Sequence, residues 1–489
     1  MVSDPRRPDW SYLRPMVSTL SGPAAASLLG VITAVLLTLS LVGCAPEESV
    51  GDRPVTAPTN IDCPGQPVPT ELTVTCHRIE VDGASLAVAV LHGPDPDRAP
   101  VLFLHGGPGG RAVADRDRWL APRSELLANH DVVLVDQRGG GNSTPSLDCP
   151  EMEYRGPEDN APEGLAEDRA CRNRLVSAGF EPSTVTVGRI AADLVAVRRV
   201  LAIDRWHLYG VSYGTRIALE LLRIDDAAIV SLALDSVVPP DADETADLPD
   251  GIVAALAKLE DRCTDDGACP VGVLEPLRRT LDRLARDPTV VQIDARSLTF
   301  DDTAFLAASV RTLSRPDGPM ALTEAIALAD AGRLAEAVDR LAPVDASAGT
   351  SRSAGDTLSE GAWVAVTCGD QRPGMAFEPT DLDDPVHRAE HGRWSELRAR
   401  CAAWKIPSSD PATRTPVRSA VPTLILAGEL DPITPARWAE TVARWLDDVE
   451  VVMSPRWTHA PSTWNPCATH LVTQFLDTGD RPTGGSANC

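Results

Sequence analysis

Lysine is nearly absent from this chain of 489 residues, occurring only at Lys258 and Lys405. With Ala, Arg and Pro abundant, that scarcity reads as the codon bias of a GC-rich genome and says nothing about fold. Aromatic residues are few as well. Cations are outnumbered, since 45 Lys and Arg face 70 Asp and Glu, and the formal net charge of −25 favours solubility. It argues against binding nucleic acid or an anionic membrane face through charge, so no nucleic-acid partner is expected. No C-x-x-C occurs, which weakens a zinc or thioredoxin-like reading. No internal repeat is present. The length suits one α/β domain with an insertion, or two domains.

The N-terminus carries Arg6, Arg7 and Arg14, an uncharged stretch over 24–42, then Leu41-Val42-Gly43-Cys44 and a polar run. Charge, apolar core and small residues together spell an export signal. Leu-Val-Gly-Cys resembles the bacterial lipobox, in which the cysteine is lipidated and begins the mature protein. Residues 1–44 are therefore expected to be a lipoprotein signal peptide with Cys44 as the lipidation site, and 45–60 a Pro-rich tether. A plain transmembrane anchor is the competing reading, because about 19 mostly apolar residues nearly span a bilayer. A cysteine at the very end of the stretch favours the lipid. The expected location is the outer face of the cytoplasmic membrane or the cell envelope. Eleven cysteines minus Cys44 leave an even number, which suits an oxidising compartment. Pairing near neighbours gives the shortest loops: Cys63-Cys76, Cys149-Cys171, Cys263-Cys269, Cys368-Cys401 and Cys467-Cys489.

From Leu72 the pattern turns to short β-rich runs. ELTVTCHRIEV and SLAVAVLH read as an antiparallel pair, and PVLFLH (100–105) and DVVLVD (131–136) as fully buried parallel strands. In RIAADLVAVRRVLA (189–202), Ile190, Leu194, Val197 and Leu201 share one helical face. Further buried strands are IVSLALD (229–235), VPTLILAG (421–428) and VEVVMS (449–454). Strands alternating with helices imply an α/β fold with a mostly parallel, doubly wound sheet. The interval 237–418 shows helical runs without a comparable buried strand, and is too long for a loop. It is expected to be a helical cap over the strand ends, inserted before the last two core strands, dividing the core into 61–236 and 419–489.

The stretch WHLYGVSYGTRIALELL (206–222) joins an apolar strand to an amphipathic helix through Gly210-Val211-Ser212-Tyr213-Gly214. This is G-x-S-x-G, a strained strand-to-helix elbow that exposes a serine hydroxyl, in the context the motif requires. Ser212 is therefore the expected nucleophile. A serine needs a base, itself oriented by a carboxylate, and in sheet hydrolases the chain order is Ser, acid, His. Asp431, just past VPTLILAG, and His459, past VEVVMS, fit that order, both at strand carboxyl ends. Asp235 competes for the acid with poorer spacing, and His470, His387 and His391 are the rival bases. His105-Gly106-Gly107-Pro108-Gly109-Gly110 ends another strand, where glycines let backbone amides approach a reacting carbonyl. Gly107 and Tyr213 are the expected oxyanion donors, and His105 is expected to be structural.

HGGPGG, DQRGGGNS (136–143), RIAADLVAVRRVLAIDRWHLYGVSYGT, the Asp431 loop and His459 together resemble the proline iminopeptidase and tripeptidyl aminopeptidase group of α/β-hydrolases. DRCTDDGACPVG (261–272), Val366-Thr367-Cys368-Gly369-Asp370 and the cysteine-bearing C-terminus resemble its secreted actinobacterial members in particular. The resemblance spans roughly 60–489, and makes 419–489 a TAP-like segment. One departure is Trp457-Thr458-His459-Ala460, where relatives often place glycine before the histidine. The resemblance implies an α/β-hydrolase fold and an exopeptidase that removes residues from peptide N-termini, without a cofactor. Motif spacing alone gives only a serine hydrolase.

An aminopeptidase must hold a buried ammonium with a carboxylate. The cap should supply it, with Asp370 the first candidate and Glu360 the second. Three rivals compete with this reading. An esterase or lipase-like hydrolase needs no such anchor. His387-Arg388-Ala389-Glu390-His391 matches the inverted zinc motif H-x-x-E-H, but Asp384-Pro385 before it and Gly392 after it are expected to leave little helix. A non-catalytic binding protein on a hydrolase scaffold is disfavoured because every triad position is filled. Side-chain preference, residues released per cut and oligomeric state are not encoded in these motifs.

Overall fold

The computed structural model describes residues 57–65, 72–94, 98–114, 116, 124–152, 164–265, 272–293, 296–341, 358–371 and 381–480. The export signal and Cys44 lie outside these. Nine strands form one sheet in the order β1-β2-β3-β5-β4-β6-β7-β10-β11. Strand β1 (Thr59–Ile61) pairs antiparallel with β2 (Thr73–Val81), so the tether ends slightly earlier than residue 60. β2 pairs antiparallel with β3 (Ala84–His92) through the two-residue turn Asp82-Gly83, both with positive φ, as hairpin twist demands. β4 (Val101–Leu104), β5 (Val132–Val135), β6 (Trp206–Val211) and β7 (Ile229–Asp235) follow. β4, β5, β6 and β7 run parallel to one another and are apolar on both faces, because helices cover both. Helices α1 (Gly164–Ser177), α2 (Val187–Val200) and α3 (Tyr213–Asp225) belong to this half.

Between β7 and β10 (Thr423–Gly428) lie α4 (Glu244–Asp265), α5 (Leu274–Arg286), α6 (Asp302–Leu313), α7 (Gly318–Asp330), α8 (Leu334–Leu341), α9 (Glu360–Val366) and α10 (Pro385–Trp404). The insertion is not wholly helical. Strands β8 (Thr289–Ile293) and β9 (Arg296–Phe300) form a separate hairpin within it. Val291, Leu298 and Phe300 are buried while Val290 is exposed, an alternation too short to stand out from the helical runs around it. The insertion has its own apolar cluster, including Leu259, Leu277, Phe305 and Ile326, and Leu430 from the loop after β10 joins it. The core resumes with β11 (Val449–Ser454), parallel to β10, and the helices α11 (Arg437–Ala443) and α12 (Pro466–Thr478).

Disulfides bridge Cys63–Cys76, Cys149–Cys171 and Cys368–Cys401, with Cα atoms 5.2, 5.5 and 5.3 Å apart. Cys263 and Cys467 are also disulfide-bonded. Their proposed partners, Cys269 and Cys489, lie outside the described residues. Closing loops of this size stabilises a fold by about 3 kcal/mol each in the chain-entropy account. Among the described residues no helix is long and apolar enough to cross a membrane.

Candidate active site

Ser212 sits between β6 and α3 with φ 54° and ψ −125°, a backbone state few side-chain-bearing residues adopt. Such a conformation costs about 1–3 kcal/mol and must be held by its surroundings. Two glycines make the turn sterically feasible. A Cβ on Gly214 would sit 1.9 Å from the Leu104 carbonyl oxygen, and one on Gly210 would sit 2.7 Å from that of Gly214. The Ser212 amide donates to the Asp235 carbonyl at 2.9 Å, tying the elbow to β7.

Asp431 follows β10 and is almost fully buried. Its Oδ1 accepts the amides of Ile433 (2.8 Å) and Thr434 (2.9 Å). Its Oδ2 accepts the Thr434 hydroxyl (2.6 Å) and pairs with His459 Nδ1 (2.8 Å). With a carboxylate accepting at Nδ1, the imidazole proton resides there and Nε2 is left as a lone pair. Burial pushes the Asp431 carboxyl up, but the charge of His459 and these hydrogen bonds outweigh it, and it titrates below the usual range. Burial likewise opposes the imidazolium, yet Asp431, by charge and hydrogen bond, and Asp235, by charge, hold His459 above its ordinary value. The acid and base loops are laced together: Leu430 N donates to Trp457 O at 3.1 Å and Glu429 N to Ser454 O at 3.0 Å. Gly428 permits that approach, because a Cβ there would meet Trp457 O at 2.3 Å. The positive φ in the base loop falls at Ala460, after the histidine, and not at Thr458 before it.

The other candidates from the sequence have different surroundings. The Asp235 carboxylate accepts the Ser462 amide at 2.8 Å and contacts the Ser462 hydroxyl. His470 pairs with Glu125 at an exposed site, and His105 Nδ1 lies 3.0 Å from Gly106 O. Gly107 and Tyr213 line one cavity with Ser212. Tyr213 opens α3, so its amide is among those a helix start leaves without a backbone acceptor. Neighbouring Gly106 packs so closely that a Cβ would lie 3.0 Å from that of Ser212. The DQRGGGNS segment braces this glycine loop: Asp136 accepts the amides of Val113 (2.9 Å) and Asn142 (2.8 Å), and Gln137 Nε2 donates to His105 O (2.9 Å).

The cavity measures about 520 Å³ and lies between the strand ends and the inserted helices. Trp363, Trp394 and Trp438 supply much of its apolar wall, and Glu244, Glu360, Glu390 and Glu396 also line it. Glu390 is engaged by Arg393, whose Nε lies 3.0 Å from both carboxylate oxygens. Burial pushes Glu244 up to about 7, against Arg216 and Arg393. Glu396 is likewise pushed up to about 7, by burial and by Asp301, and its buried Oε2 has no hydrogen-bond partner. Burial raises Glu360 as well. Asp370, the first amine-anchor candidate, is absent from the cavity wall. It is fully buried, and its Oδ2 accepts the Val187 amide at 2.6 Å, capping α2. Sequence reasoning missed Glu244, Glu390 and Glu396. The signal was the run Glu390, Arg393, Trp394, Glu396, Leu397 and Arg400, charged and aromatic residues on one helical face.

The H-x-x-E-H segment is helical after all. Pro385 occupies the first turn, where its missing N–H costs nothing, Asp384 caps it, and α10 continues through Gly392 to Trp404. Gly392 is there to admit Thr303, whose Oγ1 would lie 2.4 Å from a Cβ. His387 faces Asp250 at 3.3 Å and Glu390 is held by Arg393. Among the described residues these imidazoles do not converge with a third ligand.

Two family models match the chain: the alpha/beta hydrolase fold over residues 99–268 and the TAP-like protein over 388–489. A probable proline iminopeptidase of Streptomyces coelicolor is 27% identical over 232 residues, 46% of this chain and 60% of that protein. The serine protease Hip1 of Mycobacterium tuberculosis is 24% identical over 474 residues, 87% of this chain and 88% of that protein. A solved proline iminopeptidase of Mycobacterium smegmatis aligns at 16% identity and TM-score 0.37, covering 82% of this chain and 97% of that one. The chain spans less than two thirds of the Streptomyces relative. These matches and the mostly parallel nine-stranded sheet give the chain the α/β-hydrolase fold, with residues 388–489 similar to the TAP-like proteins.

Proposed function

We propose that the protein is a serine aminopeptidase that cleaves peptides near a free N-terminus through an acyl-enzyme. Ser212 attacks the scissile carbonyl, His459 takes its proton at Nε2, and Asp431 orients the imidazole and stabilises its charged form. The amides of Gly107 and Tyr213 hold the oxyanion. His459 then returns the proton to the leaving amine, and water releases the acyl group by the reverse path. The observation that carries the peptidase reading is the cavity that Ser212 lines, whose wall includes Glu396 with a buried oxygen that has no hydrogen-bond partner. Glu244 and Glu396 gain a counter-ion when a peptide ammonium enters, and Glu360 borders the same space. The names of the relatives, proline iminopeptidase and serine protease, support the same reading. An esterase would have no use for such a roof. Replacing Ser212 by alanine and challenging with free and N-acetylated peptides tests the proposal: hydrolysis of the free peptides should vanish.

The roof is assigned to a cap domain over 237–418, and the core to 61–236 with 419–489. The sequence reading further proposes that Cys44 carries lipid and anchors the enzyme outside the cytoplasmic membrane. The disulfides suit that oxidising location. Fractionation of Cys44→Ala should show release from the membrane fraction, and a variant still membrane-bound at mature length would contradict the lipid anchor.

A further inference from the structure

One dipeptide at the end of β7 reaches the Ser212 elbow, the strand that precedes Asp431 and the loop that carries His459. The Asp235 carbonyl accepts the Ser212 amide (2.9 Å), and the Ser236 amide donates to Leu426 O in β10 (3.0 Å). The Ser236 hydroxyl accepts the Ala460 amide (2.8 Å), adjacent to His459. The Asp235 carboxylate accepts the Ser462 amide (2.8 Å) and hydroxyl, and Tyr209 OH donates to Ser462 Oγ (2.5 Å). Ala460 has φ 56°, a left-handed turn made without glycine, and needs such restraint. We propose that Asp235 is a positioning residue, its carboxylate fixing the loop that carries His459 to the same strand end that holds the Ser212 amide. This rests on reading Ser212, Asp431 and His459 as a triad.

Loop fixing alone does not require a charge. Asparagine could accept the Ser462 amide equally well, whereas a fully buried carboxylate is costly. The charge has an object, because Asp235 is the second carboxylate after Asp431 whose field favours the imidazolium of His459. The groups around His459 are Asp431 and Thr434 from the loop after β10 and Asp235 from β7; those around Asp235 are Ser236, Ser462 and His459, with Tyr209 reaching it through Ser462. Burial raises Asp235 to about 6, so its support is present above that pH and fades below it.

The test measures kcat and KM across pH for Asp235→Asn and Ser462→Ala on a peptide with a free N-terminus, beside Ser212→Ala. Asp235→Asn should lower kcat about ten- to hundred-fold with little change in KM, and should move the acid limb of kcat/KM to lower pH. Ser462→Ala removes the hydroxyl that helps keep Asp235 ionised, so kcat should fall and the acid limb should move in the same direction as in Asp235→Asn but by less. It also serves if Asp235→Asn does not fold. A wild-type kcat in either variant overturns the proposal, as does a lowered Tm with the acid limb of Asp235→Asn unmoved. Activity surviving in Ser212→Ala instead removes the triad reading, so the two failures are distinct.

Discussion

The strand-end rim and the cap roof treat buried carboxylates in opposite ways. On the rim, Asp431 receives two amides, a hydroxyl and an imidazole, and titrates below the usual range. In the roof, Glu396 keeps an oxygen without a partner and is pushed up to about 7, and burial pushes Glu244 on the same cavity up to about 7 as well. The rim carboxylate is satisfied by the protein alone, as preorganised machinery requires. The roof also carries Arg311, Arg393 and Arg400, and under the proposed function it is Glu396, with its unpartnered oxygen, that meets the substrate ammonium. In the proposed function the rim does the chemistry and the roof chooses the substrate.

Breaking the rim should have the largest effect. Ser212→Ala and His459→Ala should each cost about 10,000-fold or more in kcat, and Asp431→Asn about 10,000-fold through loss of the imidazole's orientation. Circular dichroism should show the fold retained, and a fluorophosphonate should label wild type at Ser212 alone. The next largest effect belongs to the roof. Glu396→Gln and Glu244→Gln should weaken kcat/KM for free-amine peptides by about 2 to 5 kcal/mol each, while hydrolysis of a small acetyl ester without an amine holds steady. Equal losses on both substrates would erase the distinction between roof and rim.

The two regions also meet, and their junction can be loosened. Leu430 stands beside Asp431 yet buries its side chain in the cap's apolar cluster, so Leu430→Ala should lower stability by about 2 to 5 kcal/mol in urea unfolding. The smallest effect concerns pH. Because burial raises Glu244 and Glu396 to about 7, the folded chain keeps protons that the unfolded chain has lost above the ordinary value of 4.5. Their contribution therefore turns against stability as pH climbs from that value through about 7. Glu396→Gln should thus have a higher Tm than wild type at pH 8 and a smaller difference at pH 5.

The rim was legible in the sequence because its signals are local. Gly210 and Gly214 mark the elbow, and strand ends preceding Asp431 and His459 set their places in the chain. The roof was not, because which face of α10 looks inward depends on packing against α4 and α6, far away in sequence. Asp370, the first anchor candidate, lies instead at the start of α2, where its carboxylate accepts the Val187 amide. The H-x-x-E-H helix was misjudged because Pro385 was read as a breaker when it stands at a helix start, where proline is at home.

The proposed function requires one active serine beneath a roof that demands a free amine. Fluorogenic peptides with one, two or three residues before the leaving group, each free and N-acetylated, test it most directly. The prediction is release from at least one free peptide, none from its acetylated counterpart, and none from either with Ser212→Ala. Equal rates on free and acetylated peptides would contradict it.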